Sequence, residues 1–166
     1  LSFATLFTKS LERSQHNMPS IDVYEIRRRA FVAQKGDEYA IETGSGTGKA
    51  HQLAKSFAAT KIKNNGMRGL ESLAWSTESV ADILDFIRIR VGRDKEWGKQ
   101  NLGKELSNFL ENIPQQGDFK TFVKKFSNLD RSNQRELHLE LCRVFIKHLV
   151  AHFEFYKKKD DTNDNA

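Results

Sequence analysis

Apolar residues recur along this chain at the three- and four-residue spacing of a helix face, and strand-like alternation is nearly absent. Ser20 can cap a helix opening at Ile21, on which Val23, Ile26, Ala30 and Ala33 share one face and which Gly36-Asp37 would end. Ala50, Leu53, Ala54, Phe57 and Ala58 form the buried stripe of a second helix, from about Lys49 to Asn64, with Gly66 as its stop. A short helix around Met67 to Trp75 follows, then one capped by Ser76-Thr77 that carries Val80, Ile83, Leu84, Ile87 and Val91 until Gly92. Trp97, Leu102, Leu106, Phe109, Leu110 and Ile113 mark the next helix, which Pro114 terminates. Asp118 caps a short one with Phe119, Phe122, Val123 and Phe126 at helical spacing. The last, from about Ser132 to Tyr156, has Leu137, Leu141, Val144, Phe145, Leu149 and Val150 on one flank and Cys142, Ile146 and Phe153 beside it. So wide an apolar surface predicts a central helix with neighbours on several sides.

These segments predict an all-α fold, a compact helical bundle of about five to seven helices, with one short extended or glycine-rich segment near residues 38–48. A single helical domain is expected over residues 20–156. Residues 1–19 form an N-terminal amphipathic segment on the pattern of Leu1, Phe3, Leu6, Phe7 and Leu11, and the charged residues 157–166 are expected to be a disordered tail. The chain opens on Leu1 and its first methionine is Met18, which suits a trimmed fragment, an internal translation product or a non-AUG start.

Composition narrows the function class. With 12 Phe, 2 Pro and 38% hydrophobic residues among 166, the chain is too apolar for disorder. Cys142 is the only cysteine, which excludes a disulfide framework and a cysteine-rich zinc site and points to the cytoplasm. No apolar run approaches a membrane span. The net charge of +5 favours phosphate-bearing partners without choosing among them.

The charge is unevenly placed. From Thr43 to Leu70 no acidic residue occurs, while Lys49, Lys55, Lys61, Lys63 and Arg68 all fall there. Lys55 and Lys63 project opposite the Leu53/Phe57 stripe, as a phosphate-binding face or a solvated one. Arg27, Arg28 and Arg29 make a second patch, where Tyr24 and Phe31 share a face with Arg27 and Arg28; those rings can stack on unpaired bases or pack against a neighbouring helix. Arg88, Arg90, Arg93 and Lys95 form a third cluster at a helix C-terminus, where cations also favour the helix dipole. Phe86 and Ile89 lie among Glu78, Asp82 and Asp85 and are the candidate protein-partner surface.

Tyr39 to Ala50 resembles the phosphate-binding loop of helicases and related ATPases: an apolar strand, the glycine-rich Gly44-Ser45-Gly46-Thr47-Gly48, then Lys49 opening a helix. Ala50 stands where that loop needs a hydroxyl for magnesium, Thr43 where the usual pattern has glycine, and no apolar strand ends in a metal-binding aspartate. A phosphate of a polynucleotide, held by backbone amides and Lys49, is the better expectation. His148 and His152 have metal-ligand spacing but no third ligand, so packing or solvated histidines are expected, with no metal, cofactor or catalytic residue.

In size, helical layout and charge, the chain resembles the small subunit of a CRISPR effector complex of the Cascade type, which in several systems is similar to, or translated from within, the helical C-terminal region of the large subunit. The resemblance implies a non-catalytic subunit that stabilises the guide–target duplex or the displaced DNA strand by backbone contacts and helps assembly. Its partners would be DNA or guide RNA, other subunits and further copies of itself. Nucleotide-dependent enzyme fragment and protein-only adaptor are the other classes open to this sequence. The residues expected to meet nucleic acid are Arg27, Arg28, Lys49, Lys55, Lys63, Arg68, Arg88, Arg90 and Arg93.

Overall fold

The computed structural model describes residues 22–43, 46–126 and 129–163. They form a helical bundle, as the periodicity predicts. Its elements are α1 (Val23–Ala40), a hairpin of two-residue strands β1 (Glu42–Thr43) and β2 (Gly46–Thr47), α2 (Lys49–Ala58), α3 (Asn64–Ser76), α4 (Val80–Arg93), α5 (Lys95–Gly98), α6 (Leu102–Glu111), α7 (Gly117–Lys124) and α8 (Arg131–Asn163). The strands are antiparallel, with Glu42 opposite Thr47 and Thr43 opposite Gly46. Ser20, Ile21 and the amphipathic segment 1–19 lie outside the described residues, as do Gly44, Ser45 and residues 164–166.

α8 is the central column. Over 33 residues it rises about 50 Å at ~1.5 Å per residue. Leu137, Leu141, Cys142, Phe145, Ile146, Leu149, Val150 and Phe153 on it are all buried. α1, α2 and α3 pack along its length. The buried stripe of α2 is the predicted one, Ala50, Leu53, Ala54, Phe57 and Ala58, and its alanines let α2 and α8 approach closely. Tyr39, Phe109 and Phe145 make one aromatic cluster, with ring centroids 4.6–5.8 Å apart. Phe57 and Trp97 make another at 5.6 Å.

α1 reverses its expected orientation. Val23, Ile26, Ala30 and Ala33 are exposed, Val23 by 60% and Ile26 by 55%. The inner face instead carries Tyr24, Arg28, Phe31, Val32, Lys35, Gly36 and Tyr39, spaced 4, 3, 1, 3, 1 and 3 apart. Aromatic rings bury far more apolar area than valine and alanine do, and this face holds three of them. Two of its positions are cations, which hides it from a purely apolar reading. Gly36 does not end the helix: it packs against α8, where an added Cβ would lie 2.7 Å from Val144 Cγ1. α1 therefore runs to Ala40, capped at its start by Asp22, whose Oδ1 accepts from Tyr24 N at 3.0 Å.

Other boundaries move for local reasons. α2 stops at Ala58, and Gly66 lies in the first turn of α3 rather than at the end of α2. The helix expected from Trp97 to Ile113 breaks at Lys99–Asn101, where Gln100 and Asn101 adopt positive φ (50° and 60°). The break lets Trp97 tuck into the core, 1% exposed, beneath α6. α4 is capped by Ser79 rather than by Ser76 or Thr77. Thr77 supports that turn by accepting from Ser79 N and donating to Asp82 Oδ2. α8 continues to Asn163, so residues 157–163, expected in a disordered tail, are helical. Lys157 carries the continuation: its Nζ lies 5.8 Å from the Phe153 ring centroid and donates to Thr60 O.

Two glycines test this packing. A Cβ on Gly103 would lie 2.3 Å from Val91 Cγ2 and 2.7 Å from Trp97 O, whereas one on Gly92 meets nothing within 4 Å. Gly103→Ala should lose about 2 kcal/mol of stability and Gly92→Ala should gain up to ~1 kcal/mol, measured by urea unfolding.

Candidate nucleic-acid interface

The basic residues singled out from the sequence divide into those paired within the fold, those exposed apart from one another, and those gathered at one cleft. Arg28 belongs to the fold. Its guanidinium is 12% exposed, hydrogen-bonds Glu25 at 2.9–3.0 Å within α1, and pairs across the helix interface with Glu140 and, at 3.6 Å, Glu136 of α8. A phosphate would have to displace these carboxylates, so Arg28 is a clamp between helices. Arg27 is exposed, beside the groove formed by Phe31, Phe122 and Phe126. Of the two roles open to the rings beside it, packing against a neighbouring helix is the one seen: Phe31 stacks on Phe122 at 4.5 Å, and Tyr24 meets Phe126 edge-on at 5.2 Å.

The glycine-rich segment is likewise built into the scaffold. Gly48 N–H donates to Ile41 O at 2.7 Å, and a Cβ there would fall 2.3 Å from Tyr39 O, so only glycine fits. Lys49 pairs with Glu105 of α6. Ala50, at the position of a magnesium-binding hydroxyl, is fully buried and faces the core.

The third cluster is partly neutralised. Arg88 pairs with Asp85 at 3.3 Å and Glu111 at 3.5 Å, and Arg90 lies over the Phe86 ring at 5.0 Å. Arg93 is exposed. Phe86 is half-buried against Trp97, with ring centroids 6.4 Å apart, and Ile89 is 51% exposed. Lys55 is exposed on α2.

Among the described residues, five cations meet between the α2–α3 connection and the end of α8. Thr60 and Ile62 in that connection are buried, so Lys61 and Lys63 alternate outward. Thr60 Oγ1 donates to Phe57 O at 2.6 Å and accepts from Ile62 N at 3.2 Å. Lys61 N–H donates to Glu96 Oε2 at 2.8 Å, which ties the connection to α5. The hydrogen bond from Lys99, and then that from the Lys61 backbone, lower the pKa of the Glu96 carboxyl. Lys157 bridges from α8 to Thr60 O. The result is a cleft of about 690 Å³ lined by Lys61, Lys63, Arg68, Lys157 and Lys158 with Asn64 and Asn65, against one carboxylate, Glu154, which Arg68 pairs at 2.5 Å.

The same cleft is the mouth of α3. Lys63 is its N-cap and supplies no side-chain acceptor, and its first turn has no acidic residue, so the positive end of the helix faces the lysines uncompensated by a nearby carboxylate of that turn. Lys63 and Arg68 were legible as candidates in the sequence. Lys157 and Lys158 were not, because they stand in a stretch read as tail; their apolar anchor, Phe153 four residues before Lys157, was the available signal.

The histidines pack. His51 stacks on His152 with centroids 4.5 Å apart, and its Nε2 hydrogen-bonds Tyr156 Oη at 2.5 Å. Burial, helped by Lys147 and His152, pulls His148 below the ordinary histidine pKa. No group of three or more His, Cys, Asp or Glu among the described residues could share a metal ion. Burial raises the Cys142 thiol to about 12, so it is inert as a nucleophile.

The division between clamp and surface has a direct test. Arg28→Met should destabilise the protein by about 2 kcal/mol, since it leaves Glu140 without its partner in a half-buried seam and Glu25 with Arg29 alone, whereas Arg27→Ala should stay within ~0.5 kcal/mol of wild type in the same unfolding titration. Comparison with protein-family models, curated proteins and solved structures found no match.

Proposed function

We propose that this chain is a non-catalytic nucleic-acid-binding subunit of a Cascade-type RNA-guided complex in the cytoplasm, holding the guide–target duplex or displaced DNA strand by its backbone. The observation that carries the reading is the cleft of Lys61, Lys63, Arg68, Lys157 and Lys158 at the N-terminus of α3. Clustered cations around a helix N-terminus suit phosphate oxygens whatever the base sequence. Arg68 can exchange Glu154 for phosphate at little cost, because the pair is exposed to solvent.

Membership of a larger assembly is supported by the strip of Val23, Ile26 and Ala30 along α1, exposed among the described residues. Contiguous exposed apolar side chains of this kind suit contact with another subunit. Among the described residues no helix is long and apolar enough to cross a membrane. The absence of a catalytic role is supported by the engagement of Lys49 with Glu105 and by the inward placement of Ala50.

Binding should therefore weaken with salt, each phosphate contact adding roughly 0.7 to 0.9 to the log–log slope. Lys61→Ala with Lys63→Ala should flatten that slope by about one to two units and weaken binding similarly for unrelated sequences, while Lys55→Ala, outside the cleft, should change it by less than about half a unit. Fluorescence anisotropy with labelled oligonucleotides reads both quantities. An unchanged slope in the double variant, with its helical content intact, would take the cleft out of the interface. Purified protein should also turn over no ATP with magnesium in a phosphate-release assay; turnover abolished by Lys49→Ala would restore the enzyme reading.

A further inference from the structure

One large aromatic ring at the edge of this cleft has no place in the core. Phe155 is 62% exposed, whereas Phe57, Phe119, Phe122, Phe145 and Phe153 are buried. Its ring touches Tyr156 edge-on, with centroids 5.5 Å apart and planes at 74°. An exposed phenylalanine gives up the stabilisation that burial of such a side chain would contribute.

The position is specific. Glu154 and Lys158, which line the cleft, are the residues one before and three after Phe155, and residues three apart are neighbours on a helix surface. Counting back in fours along the same side gives Ala151 and Lys147, both exposed. The outer ridge of α8 therefore reads Lys147, Ala151, Phe155, Lys158: a ring between two cations, with only a methyl group on the side toward Lys147. Ala151, four residues before it, contributes only a methyl group, and among the described residues the ring stays 62% exposed.

We propose that Phe155 is a base-stacking platform and that the cleft beside it takes a single strand. The inference rests on the reading of the cleft as a phosphate-binding site. A strand whose backbone follows Lys61, Lys63 and Arg68 and turns over Lys158 would bring an unpaired base to the ring. In a duplex the base faces are already stacked on one another, so the ring offers a duplex nothing and the cations alone act on it. Phe155 thereby distinguishes unpaired from paired nucleic acid, and within the proposed complex it favours the displaced strand over the guide–target duplex.

The test uses the full chain with labelled 12-nucleotide poly-dT, 12-nucleotide poly-U and a 12-base-pair duplex, all read by anisotropy across a salt series. Phe155→Ala and Phe155→Leu should weaken single-strand binding by about tenfold, the loss of one stacked base. Duplex affinity should stay within about twofold, and the single-strand salt slope should not change, because no phosphate contact is removed. Phe155→Trp should restore single-strand affinity, which Leu cannot do if the ring face is what matters. Circular dichroism confirms that each variant keeps its helices. Wild-type affinity of both Phe155→Ala and Phe155→Leu for single strands would overturn the inference, as would equal loss on strand and duplex, or no single-strand binding by the intact chain. If Lys61→Ala/Lys63→Ala still flattens the salt slope in that case, the phosphate cleft survives and only the stacking role falls. If neither set of variants has an effect, both fall. Variants at Phe155 that bind strands normally but fail to join a purified complex would assign the ring to a protein contact and likewise overturn it.

Discussion

The constraint on which the molecule depends is the burial of α8. Leu137, Leu141, Cys142, Phe145, Ile146, Leu149, Val150 and Phe153 leave it no wide polar face over the middle of its length, so it is stable only when other helices cover it. α2 covers one side with alanines and Phe57, α1 another with Tyr39 and Gly36, and α3 a third with Met67, Leu70 and Ala74. The α4–α5–α6 unit closes over Trp97 and reaches the same column through Leu106 and Leu110. Every other placement, including that of the cleft, follows from how these helices seat on α8.

Cations do much of the joining. Arg28 links α1 to α8, Lys35 links α1 to α7 through Asp118, Lys49 links α2 to α6, and Arg143 donates to Ala74 O and Thr77 O at 2.8 and 2.7 Å, satisfying carbonyls at the end and C-cap of α3. Long basic side chains suit this work because their stems pack like apolar groups while their heads reach carboxylates across a seam. A count of basic residues therefore overstates the charge available to a ligand. The cations that line a common cleft lie where the α2–α3 connection meets the end of α8.

That gathering is positioned by buried polar contacts. Thr60 folds the connection back on Phe57, Glu96 holds the Lys61 amide, and Lys157 holds Thr60 from the side of α8. These bonds use backbone groups of the connection and leave the lysine heads at 61 and 63 directed outward. The surface is thus preorganised by the same contacts that satisfy an otherwise unpaired stretch of chain.

The sequence by itself determined the helical class, the stripes of α2 and α4, and the centrality of the last helix, because runs of apolar residues at helical spacing have few other ways to be buried. It also carried Lys63 and Arg68 as candidates through the acid-free stretch in which they lie. Tertiary structure decided the rest. It chose the aromatic face of α1 over the Val23/Ile26/Ala30 stripe, because the larger buried area and the carboxylates of α8 and α7 could take in Arg28 and Lys35. It broke the helix after Trp97 to seat that ring, and it extended α8 through Lys157 by giving the lysine a carbonyl to bind. Each of these outcomes depends on partners far away along the chain, such as Glu140 for Arg28, Thr60 for Lys157 and Glu105 for Lys49. Local periodicity reports which side of a helix is apolar, but only the assembled neighbours determine which charges are spent inside and which face a ligand.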